Sequence, residues 1–144
     1  MLFAIPAFAA DKSIAEHAEE AKAKAVIQKF VSAWNAHKID DLTHLFTSDG
    51  SFKSPAGEGA RTRSAIRKLL AREHRDIFRQ STLATSVANV TLPKAGVADV
   101  TGTYTLSGIP AVLGIDVSRQ GTFDFRMTRR SGRWLISSAR IAKA

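Results

Sequence analysis

Apolar residues recur at helical spacing along the first quarter of the chain. Between Ala18 and Trp34 they follow one another mainly at steps of three and four residues, which places them in one stripe along a helix. Ser13 and Glu16 fit a capping box, in which a hydroxyl and a carboxylate each accept a hydrogen bond from a free backbone amide. The pattern therefore predicts a helix that begins at Ser13 and runs to about Ala36.

Two further helices and a short strand are expected before residue 80. Asp40 is a suitable N-cap for a short helix over residues 41–46, and the turn-forming residues 48–50 lead into a strand over residues 51–54. The apolar face of a third helix, over about residues 62–78, consists of Ile66, Leu69, Leu70, Ile77 and Phe78.

From residue 81 onward the pattern changes to β-branched residues and period-two alternation. The predicted strands cover residues 83–92, 97–107, 117–130 and 134–141. The apolar segment 108–114 lacks alternation and is expected to be a loop. Helices followed by a long antiparallel meander predict an α+β fold, in which the helices pack into one face of a curved sheet.

Length and composition indicate an ordinary folded protein. With 144 residues and 44% hydrophobic residues, we expect one domain over residues 13–142. The apolar run over residues 1–9 ends in a small-x-small pattern typical of a signal cleavage site, although the basic lead is missing. We therefore expect a signal-peptide remnant and a periplasmic or secreted protein; the alternative is an apolar arm on a cytoplasmic one. No run approaches the length that spans a bilayer.

The charge is strongly basic, with 21 Lys and Arg against 13 Asp and Glu and a formal net charge of +8. Such a field attracts phosphates, anionic surfaces or acidic partners. On the third helix the basic side chains recur at steps of three and four: Lys68, Arg72, Arg75 and Arg79. No aromatic residues for base stacking interleave with them, so we interpret them as a solvated face and expect no nucleic-acid binding.

Several local strings and the order of elements resemble the NTF2-like superfamily, in particular its SnoaL-like and DUF4440 (SgcJ/EcaC-type) members. The residues that carry the resemblance are Val26 to Phe30 with Trp34 and Asn35, Asp41 and Leu42, Leu45 and Phe46, Asp49 and Gly50, Phe52 with Pro55 and Gly57, Ala65 and Ile66, and Gly132 to Trp134 with Ile136. The resemblance implies a cone-shaped (cystatin-like) fold, a pocket at the wide end of the cone, and a homodimer formed through the outer sheet face.

The superfamily includes ketosteroid isomerases, and their motif can be compared with this chain. The position of the family's carbonyl-polarising tyrosine is Phe30, which has no proton to donate. The position of its proton-shuttling aspartate is Ser54, which is no base near neutral pH. The third group, an aspartate kept neutral, would match Asp124. Because two of the three groups are missing, we reject ketosteroid isomerase activity.

Aromatic residues on elements that should converge are the candidates for contacts with a ligand, with core packing as the alternative for each. The ligand-binding candidates are Trp34, Phe46, Phe52, Phe78, Tyr104, Phe123, Phe125 and Trp134. Three weaker catalytic candidates are Tyr104, whose hydroxyl needs a partner if buried, His74 at the apolar edge of the third helix, and Asp124.

The alternation over residues 117–130 leaves one question open. Phe123, Phe125 and Met127 lie on one face of this strand, and Asp124 and Arg126 lie on the other. The aromatic face suits the inside of the cone, whereas a register like that of the isomerases would point Asp124 inward. Asp124 with Arg126 is therefore either an inward ion pair that binds an anion or an exposed charge pattern.

The remaining histidines give no sign of a metal site. His17 and His37 are expected at the surface, and His44 lies on the short second helix. No metal-ligand spacing occurs among the histidines and the chain has no cysteine, so we predict neither a metal nor another cofactor.

Together these observations predict a small-molecule-binding domain whose apolar pocket holds a hydrophobic or aromatic ligand. Any catalysis would be proton transfer of the isomerase or cyclase kind. The alternative is a non-catalytic interaction module that docks an acidic partner through its basic surface. The ligand, the reaction and the dimer interface are not specified by the sequence.

Overall fold

This computed structural model describes residues 13–110 and 117–143, and these residues contain three helices and six strands. The helices are α1 (Ile14–Asn35), α2 (Ile39–Thr43) and α3 (Arg63–Arg75). The strands are β1 (Phe46–Lys53), β2 (Gly59–Arg61), β3 (Thr82–Lys94), β4 (Val97–Ile109), β5 (Val117–Arg130) and β6 (Arg133–Lys143). The predicted signal remnant, and residues 111–114 of the predicted apolar loop, lie outside the described residues.

The six strands form one curved, unclosed sheet in the order β2-β1-β6-β5-β4-β3. Strands β3 to β6 are the predicted antiparallel meander. Strand β1 joins the meander by pairing parallel with β6, and β2 pairs antiparallel with β1. The predicted α+β, cone-shaped fold is confirmed.

The core lies between the helices and the inner face of the sheet. Helix α1 packs against β3, β4 and β6, and α3 packs against β1 and β2. Phe30 of α1 lies near the centre: its ring centroid is 5.2 Å from that of Phe125 and 5.9 Å from that of Trp34. The later part of the predicted stripe, with Ile27, Phe30 and Trp34, is therefore buried by the sheet. The prediction is wrong for its first members, Ala18, Ala21 and Ala25, which are exposed.

The capping box of α1 is present. Ser13 Oγ accepts from the Glu16 amide at 3.1 Å, and Glu16 Oε1 accepts from the Ser13 amide at 3.0 Å. These two bonds satisfy amides that have no partner within the helix, and they fix its first turn.

The second helix and first strand differ from the prediction. Helix α2 begins at Ile39, with Lys38 rather than Asp40 as its N-cap, and no side chain caps it. Phe46 was expected in this helix but begins β1, where it is fully buried and pairs in register with Ile136. That pairing partner is remote in sequence, so the local pattern could not indicate it.

The third helix is shorter than predicted. It ends at Arg75, and Phe78 lies in the following turn, where its amide donates to the Glu73 carbonyl at 2.8 Å. Phe78 remains fully buried, because the turn returns its ring to the core beside Trp34.

Strand β5 turns its aromatic face inward. Phe123 and Phe125 are buried, whereas Asp124 and Arg126 are exposed on the outer face. Arg126 binds Asp99 of β4 through two nitrogens, each 2.8 Å from a carboxylate oxygen. The pair is thus an exposed cross-strand contact with Asp99, not an inward pair with Asp124.

Gly102 of β4 allows a close approach inside the sheet. A Cβ at this position would lie 2.7 Å from Cε2 of Phe123 and would also clash with the Ser86 carbonyl. Glycine is therefore required for the Ser86 carbonyl and the Phe123 ring to approach β4 this closely.

None of the helices within residues 13–110 and 117–143 is long and apolar enough to cross a membrane.

Candidate functional site

All eight aromatic residues proposed as ligand contacts are buried in the core. Several pack against one another: the ring centroids of Trp34 and Phe78 are 5.3 Å apart, and those of Phe123 and Phe125 are 5.5 Å apart. Phe46 and Phe52 form a similar edge-to-face pair at 5.8 Å. These contacts account for their burial, and a role in ligand binding stays a prediction.

Trp134 lies at the other end of the sheet from Tyr104. Trp134 pairs in register with Arg129 near the end of β5, whereas Tyr104 pairs with Gly121 near its start. The Trp134 indole donates to Glu19 Oε2 at 2.9 Å, and the Arg129 guanidinium lies 5.8 Å from the ring centroid. We call the Tyr104 end, where β4 ends and β5 begins, the distal end.

A buried carboxyl group lies at the distal end. Glu73, in the last turn of α3, is 3% exposed, and its Oε2 accepts from the Ser54 hydroxyl at 2.8 Å. Ser54 follows β1 and is itself buried, and its Oγ accepts from the Ala56 amide at 3.1 Å. Burial raises the pKa of Glu73 to about 7, and the nearby Glu58 carboxylate adds to the rise. Glu73 therefore changes its charge near neutral pH.

Glu73 is not among the site residues predicted from the sequence, although the hydrophobic pattern of α3 contains a signal for it. Glu73 follows Leu69 by four residues and Leu70 by three, so it lies on the apolar face of α3. An acidic residue at an apolar position of an amphipathic helix is a candidate for burial and an altered pKa.

Tyr104 supplies a second buried polar group. The residue is 3% exposed, and its hydroxyl has no hydrogen-bond partner within residues 13–110 and 117–143. Burial raises its pKa, and the positive charge of Arg119 partly opposes this shift. Arg119 lies on the inner face of β5 and pairs in register with Leu106, the residue of β4 two positions after Tyr104. Its Nη1 donates to the Pro55 carbonyl at 3.2 Å.

His74 is buried beside Trp34, with ring centroids 4.5 Å apart. Its Nδ1 lies 2.9 Å from Nδ1 of His37, so one ring donates and the other accepts. Burial lowers the pKa of His74 to about 4, and His37 adds to the fall. His74 is therefore neutral near pH 7. The expectation that His37 is a surface residue is wrong: it is half-buried because it forms this pair.

A surface cleft adjoins the buried pair of Ser54 and Glu73. We call it the edge cleft; it has a volume of about 430 Å³. Its lining residues are Lys53, Ser54, Pro55, Ala56, Gly57, Arg119, Arg140, Ile141, Ala142 and Lys143. Ser54 and Arg119 thus belong both to the cleft and to the contacts at the distal end.

Other candidates do not reach this site. Asp124 is exposed on the outer face of the sheet, and His44 is exposed at the end of α2. In the predicted basic stripe of α3, Arg72 pairs with Glu58 at 2.6 Å, and both side chains are more than half exposed. Among the described residues, no three acidic or histidine side chains are placed to hold a metal ion.

Comparisons with known proteins agree on the fold. A family model described as the SnoaL-like domain matches residues 15–140. No curated protein matches the sequence.

Several solved structures are similar. A Caulobacter vibrioides protein with a cystatin-like fold has a TM-score of 0.76 at 18% identity, with 85% of this chain and 87% of that chain covered. A candidate scytalone dehydratase from Novosphingobium aromaticivorans has a TM-score of 0.78 at 15% identity, with 90% and 86% covered. A ketosteroid isomerase-like protein from Erwinia carotovora atroseptica has a TM-score of 0.74 at 17% identity, with 87% and 95% covered.

Proposed function

Because this chain belongs to the SnoaL-like domain family, we propose that it binds a small organic molecule with a hydrophobic or aromatic body at the distal end of its cone. In this proposal the edge cleft admits the ligand, and Ser54 with Glu73 supplies its polar contact. The observation that carries the proposal is a buried carboxyl group with a pKa of about 7, hydrogen-bonded to a serine that lines a cleft.

The protonation state of Glu73 decides what Ser54 offers to the cleft. A hydroxyl has one proton to donate and two lone pairs to accept with. When Glu73 is ionised, its carboxylate accepts a hydrogen bond from the Ser54 hydroxyl, as in the observed 2.8 Å bond. When Glu73 is protonated, it donates to Ser54, and the Ser54 proton becomes available for a carbonyl or other acceptor on the ligand.

The same arrangement permits exchange of a proton with a bound molecule. A group with a pKa near the working pH both gives and takes a proton readily. This is the chemistry proposed for any reaction at the site; it differs from ketosteroid isomerisation, because Phe30 and Ser54 stand at the two key positions. Two of the similar structures are named after enzyme classes, but at 15% and 17% identity they support the fold alone.

The binding site is tested with a neutral aromatic amide, 2-naphthamide, titrated while backbone amide NMR shifts are recorded. We expect the shifts to concentrate on residues 54, 56, 57 and 119, which line the cleft and have a backbone N–H. Ala142→Trp places a large ring in the cleft and should abolish them, whereas Ala84→Trp, at an exposed position of β3, should leave them unchanged. Shifts that survive Ala142→Trp would count against the edge cleft.

The role of Glu73 is tested by the pH dependence of the same binding. Affinity for the amide carbonyl should fall as the pH rises through about 7, because the Ser54 hydroxyl then donates its hydrogen bond to ionised Glu73 and not to the ligand. Glu73→Gln keeps a neutral donor beside Ser54, so its affinity should stay at the low-pH value. Equal pH profiles for wild type and Glu73→Gln would show that Glu73 does not contribute to ligand binding.

A further inference from the structure

Among the residues that the structure describes, four basic side chains and no acidic one line the edge cleft. Lys53, Arg119, Arg140 and Lys143 surround it, and no aspartate or glutamate is among its lining residues. Lys53 and Arg140 are adjacent in register across β1 and β6, so their charges lie side by side. Arg140 and Lys143 come from the same strand, and Arg119 comes from the start of β5.

These four charges are largely unneutralised. The side chains of Lys53, Arg140 and Lys143 form no hydrogen bond or ion pair with a residue in the described part of the chain. Arg119 uses one nitrogen, Nη1, for the Pro55 carbonyl, which is a neutral acceptor. Asp124 stands opposite Arg140 in the register of β5 and β6, but the two side chains form no ion pair.

Basic residues elsewhere in the described chain are often paired. Arg67 binds Asp40 at 2.6 Å, and Arg129 binds Glu19 at 2.7 Å. Like charges held close together without counter-charges repel one another, so an anion placed among them is attracted by all four. The concentration of unpaired cations in one cleft is therefore a binding feature for a negatively charged group.

The cleft also contains apolar surface. Pro55, Ala56, Ile141 and Ala142 contribute to the lining between the basic side chains. A free inorganic ion would leave this surface uncovered, whereas an organic anion would cover it and meet the cations at the same time. A second cleft along the outer face shares Lys53 and Arg140 and adds Arg61, so the positive surface continues beyond the site.

We propose that the ligand of the edge cleft is an organic acid: an apolar body with a carboxylate or phosphate group that Arg140, Lys53 and Arg119 hold. This inference rests on the proposed function and adds the chemical class of the ligand. An arginine donates to an anionic oxygen through several nitrogens at once, which gives charge-assisted bonds of defined geometry.

The test compares 2-naphthoate with its neutral isostere 2-naphthamide by isothermal titration calorimetry. The carboxylate should bind about tenfold more tightly, as expected for charge-assisted hydrogen bonds, and high salt should reduce this difference. Arg140→Gln should bring the affinity for 2-naphthoate close to that for 2-naphthamide. The matched control is Arg133→Gln, which removes the same charge from an exposed position at the opposite end of β6.

The results of these titrations distinguish the inference about an acidic ligand from the proposed function. Equal affinities of the wild-type protein for the two compounds would overturn the inference about the acid and leave the proposed function standing. If neither compound binds and only a polyanion such as heparin does, both fail, and the basic surface serves an acidic macromolecule. Should Arg140→Gln lose its circular dichroism signal, Lys53→Gln, another exposed cation of the cleft, takes its place.

Discussion

Replacing Glu73 with glutamine removes one ionisable group from the protein interior and changes only one side-chain oxygen to an amide nitrogen. Like protonated Glu73, glutamine places a neutral donor beside Ser54 Oγ at the position of the 2.8 Å contact, so a hydrogen bond with Ser54 is retained. The difference between wild type and Glu73→Gln therefore isolates the cost of ionising a carboxyl group in this place.

The magnitude follows from the pKa. Glu73 has a pKa of about 7 in the folded protein, against 4.5 as its ordinary value. Below pH 4.5 the group is protonated in both folded and unfolded chains, and it has no effect on stability. As the pH rises, the unfolded chain loses this proton first, so the folded state is progressively destabilised until the pH passes about 7. At about 1.4 kcal/mol per pH unit, the loss amounts to roughly 3 kcal/mol.

Urea unfolding of both proteins from about pH 4 to about pH 8.5 measures this difference. Relative to wild type, Glu73→Gln should gain about 3 kcal/mol in free energy of unfolding across that range. His74, with its lowered pKa, acts in the opposite direction as the pH falls, but it contributes equally to both proteins and cancels. The control Asp41→Asn alters an exposed carboxylate and should run parallel to wild type. Parallel curves for Glu73→Gln would refute the reasoning.

Two further predictions concern the core. Ser81→Ala leaves the buried Trp34 indole nitrogen without its 2.9 Å partner, so the free energy of unfolding should fall by about 1–3 kcal/mol in urea titration; an unchanged midpoint would contradict this. Gly102→Ala forces a methyl group against the Ser86 backbone carbonyl and the Phe123 ring, and it should cost about 3 kcal/mol or more in the same assay. Gly59→Ala, where the nearest atom is 3.6 Å away, is its control and should lose less.

Local signals were sufficient for most of the fold. The capping box located the start of α1, and alternation located the meander, because both patterns follow from neighbouring residues. The cone shape was predicted from the family resemblance and not from the local pattern. Strand β1 was placed five residues too late and β2 was not predicted, since their positions depend on pairing with β6 and on each other.

The site was harder to predict from sequence than the fold. Alternation placed Phe125 and its aromatic neighbours on one face of the strand but left open whether that face points inward, and periodicity cannot distinguish a packed ring from a ligand contact. Glu73 and Ser54 lie nineteen residues apart, and their hydrogen bond depends on how α3 packs against β1. Likewise, the edge cleft gathers its charges from β1, β5 and β6, so no continuous segment shows them together.

The parallel pairing of β1 with β6 also constrains how the chain is assembled. Phe52 of β1 pairs with Ala139 of β6, and β2 to β5 lie between them in the sequence, so the sheet cannot be completed until β6 has been synthesised. A contact between such distant residues must close a long loop before it contributes any stability, which slows folding. Until then the edge of β1 lacks this neighbour, and a truncation within β6 would leave the nascent protein with an open strand edge prone to aggregation.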